Sequence, residues 1–161
     1  MNESSQYDYI ICGAGCAGLS LVMYMIRDGS FSDKKILIID KDTKKQDDRT
    51  WCFWEKENGL FEPIVYKTWN HLKFYGQNYT SERWIAPYSY KMIRGSDFYS
   101  YCFGEIQKHK NITIEFGEIK SIETSEKYAE VSFNESVLTA NLIFNSILFN
   151  KPSLKKIIYK Y

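Results

Sequence analysis

Gly13-Ala14-Gly15-Cys16-Ala17-Gly18 sits directly between the short apolar run Tyr9-Ile10-Ile11-Cys12 and a second apolar stretch, Leu19 to Arg27. Few local patterns limit a fold so tightly. The first run suits a strand buried on both faces, as in a parallel sheet. Leu19 to Arg27 is apolar on nearly every side, with Ser20 the main exception, so as a helix it needs cover on more than one face. Asp28-Gly29-Ser30 stops it, with Gly29 placed to take a left-handed conformation. Lys35 to Ile39 is a second apolar strand, and Asp40 follows at once. Strand, glycine turn, helix and strand make a βαβ unit, which sets the class as α/β.

The turn also predicts a ligand. A phosphate needs backbone N–H groups aimed at it and no side chain in the way. Gly13 allows the tight turn out of the strand, Gly15 lets the backbone approach a pyrophosphate, and Gly18 lets helix and strand pack closely. The helix N-terminus then faces the phosphates with its partial positive charge. Asp40 lies 22 residues after Gly18, where its carboxylate can accept the ribose hydroxyls of an adenosine. The motif does not separate NAD from FAD, but an acid here disfavours the 2′-phosphate of NADP. Cys12 and Cys16 flank the turn and read as small residues filling a crowded bend.

Composition closes several other routes. With 161 residues the chain can form one domain with a sizeable core, and 44% hydrophobic with 25% charged residues is an ordinary globular balance. A net charge of +1 gives no general grip on nucleic acid. The N-terminal Met1-Asn2-Glu3-Ser4-Ser5 is polar and acidic, unlike a signal or transit peptide, and no apolar run reaches the length of a membrane span. Cys12, Cys16, Cys52 and Cys102 form no CxxC pair, and with only His71 and His109 beside them no metal site is expected. They read as free thiols of a cytoplasmic protein, where the sequons at Asn2, Asn78, Asn111 and Asn134 carry no meaning.

Beyond Asp40 the sequence is less regular. Residues 41–50 are a polar loop, broken by the aromatic string Trp51-Cys52-Phe53-Trp54. Trp69 to Gly76 alternates weakly, as a strand would. Ser96 or Asp97 can cap a helix running to about His109, with Tyr99, Cys102, Phe103 and Ile106 at helical spacing. Ile112, Ile114 and Phe116 alternate with polar residues, Ile119–Glu123 and Tyr128–Phe133 form a hairpin turning near Ser125-Glu126, and Val137 to Leu148 is a further strand region interrupted by Asn141 and Asn145.

Four blocks in order carry a family resemblance: YDYIICGAGCAGLSLVMYM at 7–25, ILIIDKD at 36–42, DRTWCFWE at 48–55 and YKMIRGSDFY at 90–99. The sequence resembles the lycopene cyclase family, flavoproteins of the lycopene β-cyclase type, over roughly residues 7 to 150. The resemblance implies a Rossmann-like FAD/NAD(P)-binding fold of the glutathione-reductase type, incomplete here and carrying an inserted antiparallel β-hairpin. It implies reduced FAD as cofactor, with NAD(P)H as the electron source, although the reaction has no net redox change. A proton adds to the terminal double bond of an acyclic carotenoid end group, the cation closes on neighbouring double bonds, and proton loss leaves a β-ring. The flavin would stabilise positive charge. The long apolar carotenoid substrate implies peripheral contact of the full-length enzyme with the cytoplasmic membrane.

Carried over by position, Gly13, Gly15 and Gly18 match the pyrophosphate loop and Asp40 the ribose acid. Arg49 and Arg94 match arginines close to FAD, one after the second strand and one ahead of the following helix. Arg49 could instead pair with Asp47 or Asp48, and Trp51, Phe53 and Trp54 either line a carotenoid tunnel or fill the core. The family's Phe-Leu-Glu-Glu-Thr motif and its Gly-Asp segment are absent, so no catalytic residue is assigned. The chain is thus expected to be an N-terminal portion: residues 1–150 a partial FAD-binding unit and 151–161 a truncated tail, inactive alone. Two other readings share the glycine turn: an FAD-dependent oxidoreductase or monooxygenase, and a non-enzymatic nucleotide-binding remnant.

Overall fold

A computed structural model describes residues 6–43, 49–125 and 128–149. The expected tail, the Asp47 and Asp48 partners considered for Arg49, and Glu126 of the hairpin turn lie outside the described residues. The described chain divides into two compact units, the first holding 6–18, 34–41 and 113–149, the second the remainder.

The first unit is built on strands β1 (Tyr7–Cys12) and β2 (Ile36–Asp40), with helix α1 (Cys16–Asp28) starting in it. Its other strands are β8 (Ile112–Phe116), β9 (Ile119–Thr124), β10 (Ala129–Phe133) and β11 (Ser136–Asn145). They form a six-stranded sheet in the order β8-β2-β1-β11-β10-β9. β1 is parallel to both β2 and β11, while β9, β10 and β11 form an antiparallel meander. β11 does two jobs: Ser136–Ala140 pairs with β10, and Ala140–Asn145 pairs with β1. All five residues of β2 are buried, as the unbroken apolar run requires. The core of this unit joins Ile10, Cys12, Leu37 and Ile39 to Val131, Phe133 and Ala140.

The second unit contains the rest of α1, β3 (Thr50–Glu55), a short 3-10 turn (Glu62–Ile64), β4 (Lys67–Trp69), β5 (His71–Gly76), β6 (Tyr79–Trp84), β7 (Ser89–Arg94) and helix α2 (Gly95–Ile106). β3, β7 and β4 make a three-stranded antiparallel sheet, and β5 with β6 a separate hairpin. Phe98, Tyr99, Cys102 and Ile106 bury one face of α2.

α1 buries Leu19, Val22, Met23 and Met25 and leaves Tyr24 51% exposed. One expectation needs correction. Neither Ser96 nor Asp97 caps α2; Arg94 occupies the cap position in extended conformation with no side-chain capping bond, and Ser96 and Asp97 fall inside the first turn. The aromatic string at 51–54 is a strand, and residues 79–84 and 89–94 add two strands that the sequence pattern did not suggest. Gly29 has φ +79° and its N–H donates to the Met25 carbonyl, closing α1 as expected.

Candidate functional site: the glycine turn at the carboxyl edge of the parallel strands

β1, β2 and β11 end side by side, with Cys12 in register with Ile39 on one flank and Asn145 on the other. From β1 the chain proceeds to β2 on one side, and later returns on the other as β11. The gap between β1 and β11 is therefore the point where strand order reverses, the place where open α/β sheets take ligands. The turn Gly13–Gly15 leaves β1 at that point.

The three glycines are required for different reasons. Gly13 has φ +106°, and a Cβ there would collide with the Ser146 hydroxyl. A Cβ on Gly18 would run into the Gly13 carbonyl oxygen and touch Ile11, so this glycine is needed for the turn of α1 to seat against the strand. Around Gly15 a Cβ would meet nothing within 4 Å. Among the described residues no atom demands a glycine there, and the space a side chain would fill lies at the helix N-terminus. That open cradle fits the diphosphate of a dinucleotide.

Asp40 is turned toward this loop. Its Oδ2 accepts the Ala14 N–H at 2.6 Å, and the residue is only 7% exposed. Its carbonyl accepts the Gly117 N–H at 2.9 Å. One carboxylate oxygen thus holds the loop itself. Ser146, just past β11, donates both its N–H and its hydroxyl to the Cys12 carbonyl, each at 3.0 Å. Sequence reasoning missed Ser146. Its one signal is that a polar pair, Asn145-Ser146, ends the apolar strand as Gly13 ends the first. The Cys12 thiol, fully buried, is pushed up to about 12 by burial and is chemically quiet.

Arg49 and Arg94 occupy neighbouring backbone positions in the second unit. The β3–β7 register sets Thr50 against Arg94, and the Gly95 N–H donates to the Arg49 carbonyl at 2.7 Å. A Cβ on Gly95 would come within 2.7 Å of that carbonyl oxygen, so Gly95 is a second residue the sequence reading passed over. Arg94 has protein partners of its own. Nε and Nη2 donate to Asp97 at 2.7 and 3.1 Å, and the guanidinium lies 4.3 Å from the Tyr66 ring centre.

The aromatic string divides between the two faces of its strand. Trp51 and Phe53 are half-buried and Trp54 is exposed. Trp51 packs edge-on against Phe98 and Tyr99 of α2 at 5.0 and 5.7 Å, which is core packing. On the same side, Lys91 is 4% exposed and donates to Glu55 at 2.8 Å, Glu62 at 2.5 Å and Asn58 at 3.3 Å. Burial pulls the Lys91 ammonium down, but the hydrogen bonds and charges of Glu55 and Glu62 outweigh it and hold it above the ordinary lysine value of 10.5.

Among the described residues no helix is long and apolar enough to cross a membrane. No curated protein matches the chain. Solved structures match its fold. A probable FAD-dependent monooxygenase, pqsL of Pseudomonas aeruginosa, superposes with a TM-score of 0.68 at 13% identity, over 85% of this chain and 41% of its own. FqzB gives 0.65 at 16% identity, over 86% and 35%. The halogenase PltM, in complex with phloroglucinol and FAD, gives 0.59 at 17%, over 86% and 33%. The chain thus spans about two-fifths or less of these proteins and shares their Rossmann-like FAD-binding fold. A family model described as "Lycopene cyclase protein" matches residues 8–157, from β1 past the end of β11. With the glycine turn, Asp40 and the aromatic strand all inside that match, the chain belongs to the lycopene cyclase family.

Proposed function

We propose that this chain is the FAD-binding portion of an enzyme that closes the end groups of an acyclic carotenoid into β-rings, initiated by a proton and without net redox change. The observation that carries the reading is a glycine turn, open at Gly15, in a member of the lycopene cyclase family. Reduced FAD, with NAD(P)H as electron source, would supply stabilisation of the positive charge that develops on the polyene.

The chain's own residues would bind and orient. The backbone of Gly13–Gly15 and the first turn of α1 would hold the diphosphate by N–H groups and the helix dipole. Asp40 fixes that loop through Ala14 and would take the ribose hydroxyls. Arg49 would offer a planar donor set to the cofactor. Arg94 would do so only by exchanging its Asp97 partner. The full-length enzyme would meet its substrate at a membrane surface. No described residue is assigned as the proton donor.

Lycopene-accumulating cells provide the test. The 161-residue chain alone is expected to leave lycopene unchanged, and the chain joined to the C-terminal portion of a family member is expected to yield β-ring products. Products bearing new oxygen or new double bonds would instead make it a flavin oxidoreductase. Unchanged lycopene with the joined, folded, flavin-loaded protein would remove the cyclase assignment.

A further inference from the structure

The peptide that joins Cys12 to Gly13 ends β1 and begins the glycine turn, and it is tied on both flanks. Its N–H, on Gly13, donates to the Ile39 carbonyl at 2.7 Å. Its carbonyl, on Cys12, accepts both the N–H and the hydroxyl of Ser146, each at 3.0 Å. The following N–H, on Ala14, donates to Asp40 Oδ2 at 2.6 Å. The end of β2 thus holds the turn from one side, by a carbonyl and a carboxylate. Ser146, just past β11, holds it from the other.

The bonds from Ser146 differ in what they supply. The N–H bond continues the parallel ladder one step past the Cys12–Asn145 pair and by itself satisfies the carbonyl. The hydroxyl bond is additional. A carbonyl oxygen has two lone pairs, and the hydroxyl takes the second, which fixes the plane of the Cys12–Gly13 peptide. Its place is matched to the glycine, because Ser146 Oγ is the atom that a Cβ on Gly13 would strike. Gly13 stands at φ +106°, and glycine has the widest conformational choice of any residue, so this position is free to wander unless held. Asn145 shapes the bend that presents the hydroxyl: its side-chain amide accepts the Ile147 N–H at 2.8 Å and donates to the Ile147 carbonyl at 3.2 Å.

Resting on the dinucleotide reading above, we propose that Ser146 is a positioning residue: its hydroxyl holds the Cys12–Gly13 peptide so that the turn is set for a diphosphate before the ligand arrives. A turn that is set only part of the time binds its ligand more weakly by that fraction. Removing the hydroxyl orphans no buried group, since the ladder N–H stays on the Cys12 carbonyl. Ser146 is itself exposed, so a slightly larger side chain has room. The loss therefore falls on the turn's readiness for ligand and not on the stability of the sheet.

Ser146→Thr and Ser146→Val have the same shape and differ by the hydroxyl, so the pair isolates the bond. Two measurements on the full chain read it: the Kd for FAD, and amide hydrogen exchange at Gly13 and Ala14 without ligand. Ser146→Val is expected to raise the Kd about fivefold or more and to speed exchange at both amides about tenfold or more. Its melting temperature is expected to stay within about 2 °C of wild type. Ser146→Thr is expected to keep both readings within about twofold. Ser121→Ala deletes another side-chain bond, to Ser132 at 3.1 Å on strands that do not touch β1, and is expected to change neither. Ser146→Ala serves if the valine variant fails to fold. Wild-type affinity in Ser146→Val overturns the proposal even if exchange is faster, as does equal weakening by Ser146→Thr or Ser121→Ala. A wild type that binds no FAD removes the cofactor reading. Exchange then decides alone: faster in Ser146→Val but not in Ser146→Thr keeps the hold on the turn, and no difference overturns that too.

Discussion

Gly15 and Gly18 are both glycines for opposite reasons, and the contrast is testable. A side chain on Gly18 strikes the Gly13 carbonyl, whereas one on Gly15 strikes nothing among the described residues. Gly15→Val is expected to leave the melting temperature unchanged and to weaken FAD binding about tenfold or more; Gly18→Ala is expected to lower the melting temperature. A melting temperature lowered equally by both would mean that Gly15 is structural. Asp40→Ala removes the acceptor of a buried N–H and is expected to cost about 1–3 kcal/mol in a denaturant titration, along with lost FAD affinity. The glycines and Asp40 were legible because each role is local: a turn, a helix start and a strand end within one βαβ unit. Ser146 was not, because its bonds to Cys12 cross 134 positions of sequence.

At the scale of elements, β3 and β7 carry the second unit's chemistry. Their six-pair register brings Arg49 beside Gly95 and seats Lys91 among three acceptors. Lys91→Met is expected to cost about 2 kcal/mol. That falls short of the ~3–5 kcal/mol of a fully buried pair, because Glu55 and Glu62 keep 26% and 34% exposure. The sign of the pH dependence follows from the raised ammonium. Its contribution is full below about pH 10.5 and is lost as pH rises through the higher folded value. Melts from pH 8 to pH 11.5 should therefore show wild type and Lys91→Met converging only at the alkaline end, and a gap that closes near neutrality would contradict the cluster. The sequence marked Trp51 to Trp54 as unusual yet concealed the strand, since large rings on both faces erase the alternation that signals one. Helix α2 was legible from its spacing. Its cap was not, because the extended Arg94 takes that position without a side-chain bond.

Across the whole molecule, the α/β class followed from the βαβ pattern of the first forty residues, the Rossmann-like fold from the family resemblance, and the antiparallel hairpin from alternation at 119–133. What stayed hidden was the dual use of β11, whose two halves pair in opposite senses with β10 and β1. Burial across the chain also ranks the thiols. Cys52 is exposed, whereas Cys12 and Cys102 are fully buried, and burial raises Cys12 further out of reach. Alkylation at pH 8 followed by mass mapping should label Cys52 first, and Cys12 and Cys102 only on unfolding. Cys12 labelled as fast as Cys52 would mean that the β1 edge is not closed.

The most direct test is fluorescence anisotropy of FAD titrated with the purified chain and its Gly15→Val variant. The account expects saturable binding by the first and little or none by the second at equal thermal stability. Binding that is unaffected by the substitution, or absent from both folded proteins, would contradict the claim that this turn holds a dinucleotide.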